Sequence, residues 1–359
     1  MSGFSLKPTG ASKRELKSPD TVVILDLDWV KYSSASAGEK RTISVTHNKS
    51  GKKKDFANRT EFCGRSKKVL GGWIGEENTK REEKGLIQFT LEDFTIEDVQ
   101  TPEPIENILH TAKLQVEGIL DAVGTNKAEY FIGEGDSWRV EASTLQQYKG
   151  QRVNLTKPIH LDAVSEYLIN KYEPTICRGL EADDWLVIRY KQLQAQGIPA
   201  VVAALDKDTY GCNVHIINPN RKDEGIVDCS GFGELYISGS GANEKIRGHG
   251  LKFLAYQTIS QDNIDNYKFN CFSNVKWGEK SAYKALVDCK NEKELFSTMI
   301  EVAKQLYPEP KEVVGWRGNN IFIDARYVLN EMFMMARMLE TEQDFKTFDM
   351  VAAKHGGMW

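Results

Sequence analysis

Two apolar, β-branched runs that end in aspartates limit the fold most: residues 21–28 (TVVILDLD) and 198–205 (IPAVVAAL), the second followed by Asp206 and Asp208. Continuous apolarity, in place of alternation, marks strands covered on both faces, and hence a parallel sheet between layers of helix. Residues 129–132 (EYFI) read as another strand, followed by an acidic-glycine turn over 133–136, and 214–217 read as a shorter strand. Helical patterns over 105–123, 162–172 and 181–196 alternate with these runs. The pattern predicts an α/β core over 21–248, with a mostly parallel sheet flanked by helices. From about Gly250 the pattern turns helical (250–260, 278–290, 292–306 and 325–340), which predicts a helical region over 249–359.

Residues 1–20 are polar, lack the apolar stretch of a secretory signal and read as a flexible tail. No window approaches eighteen consecutive apolar residues, so no membrane partner is expected. The six cysteines are widely spaced with no CxxC pair, which favours reduced thiols and a cytoplasmic setting. Residues 39–103 interrupt the core as an excursion, first basic and then acidic. Its aromatics (Phe56, Phe62, Trp73) suit a small folded element, and its basic stretches 49–54 and 65–68 are candidate contacts for a polyanion, DNA if the acidic motifs described below belong to a nuclease. The plainer reading of that segment is a solvated surface insertion.

Carboxylates gather where open α/β sheets keep their functional groups, at the carboxyl ends of parallel strands. Asp26 and Asp28 end the first run, Asp136 follows the second strand, and Asp206 and Asp208 follow a later one. Glu181, Asp183 and Asp184 open a helix, and Asp262 and Asp265 have the spacing of one helical turn. Any single aspartate after a strand is more often a turn residue or a cap than a ligand. Several together repel one another unless cations compensate. An all-oxygen set suits Mg²⁺ or Mn²⁺, and two such ions activate a water and stabilise the leaving oxygen in phosphodiester cleavage. The net charge of −4 is unusual for a nucleic-acid binder. Setting aside the nine carboxylates Asp26, Asp136, Glu181, Asp183, Asp184, Asp206, Asp208, Asp262 and Asp265 turns the balance basic. Arg139, Lys149 and Arg152 are the cations suited to hold a phosphodiester beside such a pocket. None of the six histidines accompanies the acidic motifs, which favours metal over histidine chemistry.

The order and spacing of these motifs resemble the 5′-nuclease family: phage 5′–3′ exonucleases, flap endonucleases and the 5′-nuclease domain of bacterial DNA polymerase I. The phage exonuclease branch is the most similar. Residues 23–30 (VILDLDWV) resemble its first strand. Asp136-Ser-Trp-Arg139 with Tyr148-Lys149-Gly-Gln-Arg152 resembles its "D…FR…YKxNR" segment. Residues 179–184 (GLEADD) resemble E-x-D-D, 205–208 (LDKD) resemble D-x-D, and 256–266 (YQTISQDNIDN) resemble the segment with the last two acids.

That resemblance implies a PIN-like 5′-nuclease core and two Mg²⁺ ions, with Mn²⁺ as a substitute. Asp136, Glu181, Asp183, Asp206 and Asp208 would surround the first ion, and Asp208, Asp262 and Asp265 the second. Asp26 and Asp184 would complete the pocket, while Asp28 sits where the family varies. Tyr148 would stack on a terminal base or pack within its helix. A clamp over about 138–160 would govern threading of the 5′ strand. A helix-hairpin-helix over about 262–290 would grip the duplex through Gly278, Lys276 and Lys280. A K⁺ ion often assists that hairpin, but Asn274 and Lys276 stand where its glycines are expected. The implied activity is 5′→3′ exonuclease or flap endonuclease cleavage of DNA or RNA–DNA hybrid. The implied setting is phage replication and primer removal in the host cytoplasm, as a monomer alongside replication proteins. The alternatives are a PIN-like ribonuclease and a catalytically silent DNA-binding scaffold.

Overall fold

The computed structural model describes residues 16–66, 68–151 and 156–359. The chain divides into two compact units. The larger holds the chain as far as Val30, Leu114–Thr156 and Leu168–Trp359; the smaller holds Lys31–Lys113 and Lys157–Tyr167. Strand β1 (Val22–Asp26) carries Val23, Ile24 and Leu25, all fully buried. Helix α1 (Leu27–Ala37) follows with no loop, so Asp28 sits in the first helical turn and not, as the apolar run predicts, on the strand.

The smaller unit contains a three-stranded antiparallel sheet of β2 (Glu39–His47), β3 (Lys53–Phe56) and β4 (Phe94–Pro102), in the order β3-β2-β4. Helices α2 (Arg59–Cys63) and α3 (Gly72–Glu83) belong to the same unit. Ile43, Val45, Phe56, Phe62, Ile74 and Phe94 form a core of their own. Within it the rings of Phe56 and Phe62 lie 5.2 Å apart, and those of Phe62 and Phe94 5.4 Å apart. Gly72 adopts φ +57°, and a Cβ there would stand 2.5 Å from the Glu61 carbonyl, so the start of α3 requires glycine.

Helix α4 (Ile105–Val123) buries Ile108, Ala112, Val116, Ile119 and Val123 at the three- and four-residue spacing of one helical face. There follow β5 (Ala128–Ser137), α5 (Trp138–Ala142), α6 (Leu161–Tyr172), β6 (Thr175–Gly179), α7 (Ala182–Ala195), β7 (Ala200–Ala203), β8 (His215–Ile217) and β9 (Ile226–Asp228). The sheet order is β6-β5-β1-β7-β8-β9, parallel throughout except for β9. The α/β class and the mostly parallel sheet expected from sequence are therefore present. From β1 the chain builds outward through β5 and β6, then returns to add β7 on the other side. Strand order thus reverses between β1 and β7. The acidic-glycine segment 133–136 does not leave the sheet as a turn: β5 continues to Ser137, with an irregular register between Gly133 and Ser137.

The remaining elements are β10 (Glu234–Ser238) paired with β11 (Lys245–His249), α8 (Gly250–Ile259), the short ribbon of β12 (Gln261–Asp262) and β13 (Tyr267–Lys268), α9 (Glu279–Leu286), α10 (Glu292–Leu306), β14 (Lys311–Val314) paired with β15 (Asn320–Ile323), α11 (Ala325–Ala336) and α12 (Phe348–Ala352). Phe253, Met299, Leu306, Leu329, Met332 and Phe333 are among the residues of their common core, which also receives Leu145 and Tyr148. These helices share one compact unit with the parallel sheet. The expected helix-hairpin-helix differs from what is found. Between α8 and α9 the chain forms the β12–β13 ribbon and a run of turns, so the two helices are not joined by a single tight turn. No helix among the described residues is long and apolar enough to cross a membrane.

Candidate active site

The carboxyl ends of β1 and β7, where strand order reverses, open onto the crevice in which open α/β sheets hold ligands. Asp26 closes β1. Asp206 follows β7 and caps the 3-10 turn Lys207–Gly211, accepting a 2.8 Å hydrogen bond from the Asp208 amide. That turn, and not strand alternation, brings Asp206 and Asp208 to one place. Glu181 and Asp183 come from the start of α7, where the helix dipole favours negative charge. Asp262 and Asp265 come from the β12–β13 ribbon and not from a helical turn. The Asp262 Oδ1 accepts from the amides of Ile264 at 2.6 Å and Asp265 at 3.0 Å, which fixes the loop between them.

The electrostatics show that these groups converge. Burial pushes Asp183 well above the usual carboxylate range, and Asp206, Asp26 and Glu181 push it further against the pull of Lys149. Asp208 is raised in the same way by burial and by Asp206, Asp265 and Asp262, against Lys207. Asp265 is pushed up to about 6 by burial, with Asp206, Glu181 and Asp262 adding to the effect and Lys149 opposing it. Seven of the nine nominated acids, Asp26, Glu181, Asp183, Asp206, Asp208, Asp262 and Asp265, therefore sense one another.

The other two do not join them. Asp136 is exposed on the irregular end of β5. Asp184 is fully buried and saturated: it receives both terminal nitrogens of Arg139 at 2.8 Å, the Trp138 indole N–H at 3.1 Å and the Leu339 amide at 3.0 Å. Arg139 likewise departs from its expected role of holding phosphate. It has no exposed surface, and beyond Asp184 it donates to Glu181 at 2.6 Å and to the Arg337 carbonyl at 2.6 Å. A guanidinium with its fork already occupied ties α5, α7 and the chain after α11 together and holds Glu181 in place. Tyr148 is also buried, and its hydroxyl donates toward Glu181 at 3.0 Å and Asp265 at 3.2 Å. Packing and orientation of carboxylates replace stacking on a base.

Lys149 keeps the position expected of it. Its ammonium pairs with Glu181, and its backbone holds φ 54° while its amide donates to the Asp265 carbonyl at 2.9 Å. Arg139 and Lys149 overcome the upward push of burial and hold Glu181 below the usual glutamate range. Arg152 lies outside the described residues. Lys276 and Lys280 are exposed, and Gly278 caps α9 with extended backbone and open space where a Cβ would stand. The left-handed conformation that a glycine hairpin would need is therefore not used there.

Two participants, Lys207 and Gln257, are not marked by the sequence motifs. Lys207 places its ammonium 2.6 Å from the Asp262 Oδ2, and Gln257 donates its amide to Asp208. Asp28 accepts from the Gly133 amide at 2.8 Å, and a Cβ at Gly133 would meet that same oxygen. The signal for Lys207 was its place between the two acids of LDKD, which strand alternation points the wrong way. For Gln257 it was an amide within a helix that is otherwise almost wholly buried, where a polar group requires partners.

The donor set can be tested against divalent cations. Among the described residues no three carboxylate, imidazole or thiolate groups stand close enough to chelate one ion directly. The Asp183 Oδ1, however, is buried without a hydrogen-bond partner, and Asp183, Asp208 and Asp265 stay raised despite the nearby Lys149 and Lys207. The chemistry of the donor set, all carboxylate oxygen, is of the kind Mg²⁺ takes, which binds through one or two carboxylates and keeps several waters. A scan against protein-family models and a search of curated proteins find no match to this chain.

Proposed function

We propose that this protein is a metal-dependent nuclease that hydrolyses phosphodiesters at or near 5′ ends of duplex DNA or RNA–DNA hybrid. The observation that carries the reading is that seven acids from four separate segments act on one another electrostatically, with the buried Asp183 Oδ1 unpartnered. Asp183 differs from the structural Asp184, whose two oxygens are both taken by protein donors. The motif order that resembles 5′ nucleases supplies the reaction class, and the lysines beside the acids are consistent with an anionic substrate.

In this reading Asp26, Glu181, Asp183 and Asp206 would hold one cation and Asp208, Asp262 and Asp265 a second, in both cases largely through water. Bound divalent cations supply Lewis acidity, which lowers the pKa of a water and stabilises the leaving oxygen. The chain's own residues do the rest. Lys149, a quarter exposed, would present its ammonium to a nonbridging phosphate oxygen beside Glu181. Arg139 and Tyr148 hold Glu181 and Asp265 in position from the buried side.

The test is cleavage of 5′-labelled flap, blunt duplex, hybrid and single-stranded RNA in Mg²⁺, with Asp206→Ala and Asp208→Ala alongside. Loss of cleavage by at least about a hundredfold in both variants is expected, the scale at which electrostatic transition-state groups act. An inactive parent protein, or variants as active as the parent, removes the proposal. Preference for single-stranded RNA redirects it to a PIN-like ribonuclease.

A further inference from the structure

Lys207 has no part in the motif as a pattern of acids, yet it occupies a particular oxygen. Its ammonium stands 2.6 Å from the Asp262 Oδ2, while the other oxygen of that carboxylate holds the amides of Ile264 and Asp265. Asp262 is thus fully engaged, and its outward oxygen is taken by a cation that belongs to the chain. The two ends of this pair differ in freedom: the Lys207 side chain is 52% exposed and the Asp262 side chain 4% exposed. The carboxylate is fixed and the ammonium is on a long, solvated stem that can leave it. Gln257 meanwhile anchors Asp208, the neighbouring residue of the same turn, so movement of the Lys207 side chain need not disturb the backbone.

We infer that Lys207 is a tethered counter-ion that occupies Asp262 in competition with a divalent cation and moves to substrate phosphate when the cation arrives. The inference rests on the nuclease reading and adds to it a residue that couples cation loading to substrate grip. A Coulombic pair cannot be made twice: a cation drawing on the Asp262 Oδ2 displaces the ammonium, and the displaced ammonium remains within side-chain reach of the crevice. Metal and DNA then bind with positive coupling, because each relieves a charge the other leaves behind.

The experiment uses the full chain and two readouts apart from turnover. Free Mn²⁺ is followed by electron paramagnetic resonance during titration without DNA, for the parent, Lys207→Met, Lys207→Arg and Lys293→Met. Lys293 lies exposed on α10 and serves as the control. Lys207→Met is expected to tighten the weaker Mn²⁺ class roughly fivefold, the scale of one partly exposed ion pair, with Lys207→Arg and Lys293→Met close to the parent. Flap-DNA affinity measured in Ca²⁺ is expected to weaken several-fold in Lys207→Met alone. If the parent binds Mn²⁺ and cleaves DNA while Lys207→Met leaves both affinities unchanged, the counter-ion role is overturned and the nuclease reading stands. If Lys207→Met instead weakens Mn²⁺ binding, Lys207 supports the site and does not compete for it, which also overturns the role. A parent that neither binds Mn²⁺ nor cleaves removes both.

Discussion

Two cations that look equivalent in the sequence do opposite work in the structure. Arg139 is fully buried and bound to two carboxylates, so Arg139→Ala leaves Asp184 charged, buried and half-satisfied. Breaking such a pair costs about 3–5 kcal/mol, and chemical denaturation should show that loss together with reduced solubility. Lys149 is partly exposed and pairs with Glu181. Lys149→Ala should change stability by no more than about 1 kcal/mol while lowering cleavage at saturating Mg²⁺ by at least about tenfold. A variant pair with the reverse pattern would assign Arg139 to the substrate. Asp183 makes the complementary case. It is a carboxylate raised by burial and by three like charges, with an unpartnered oxygen. Asp183→Asn removes the repulsion, so the metal-free protein should melt higher by about 2 °C while Mg²⁺-dependent cleavage is lost. A lower melting temperature in EDTA would show that Asp183 has a structural partner after all.

At the level of elements, the sequence exposed what depends on periodicity and hid what depends on partners. The apolar runs at β1 and β7 and the amphipathic spacing of α4 are local patterns, and each element lies where its pattern stands. The turn expected at 133–136 failed because pairing with β6 carries β5 on to Ser137, and pairing partners are not written in a single strand. The helical spacing of Asp262 and Asp265 proved to be a ribbon and an aspartate-capped loop, which brings the same two side chains together by a different backbone. Arg139 and Asp184 were misread for a related reason: their burial is created by the chain near Arg337 to Leu339, almost two hundred residues later than Arg139. The smaller unit yields a test of its own. Glu39 pairs with Pro102 where β2 begins and β4 ends, and the unit's aromatic core is separate. Replacing residues 40–101 by a short Gly-Ser turn should therefore yield a folded protein that keeps its Mg²⁺-dependent thermal shift. If that shift disappears in a protein whose circular dichroism still reports the α/β core, the smaller unit contributes to the cation site.

For the whole molecule, the acid cluster makes stability depend on pH with a sign opposite to ordinary acid denaturation. Asp265 titrates near 6 in the folded chain against 3.8 when unperturbed, so between those values the folded state holds a proton that the unfolded chain has released. Stability from this group therefore rises as pH falls through about 6, since protonation removes the repulsion. Asp183 and Asp208 are raised and act in the same direction. Glu181 and Asp262 are lowered by Arg139, Lys149 and Lys207, so their contribution is present above the usual carboxylate values and fades in stronger acid. The metal-free protein should accordingly be more stable at pH 5.5 than at pH 7.5, and Asp265→Asn should flatten that difference. Mg²⁺ supplies at neutral pH the positive charge that protons supply in acid, so saturating Mg²⁺ should raise the melting temperature chiefly at pH 7.5, stabilising the fold in proportion to its occupancy. Differential scanning calorimetry of parent and Asp265→Asn, each in EDTA and in Mg²⁺ at both pH values, measures all four differences. A parent in EDTA that melts higher at pH 7.5 than at pH 5.5, with no gain from Mg²⁺, would mean that the seven acids are already neutralised by the chain itself. The crevice between β1 and β7 would then have no charge left for a cation to balance.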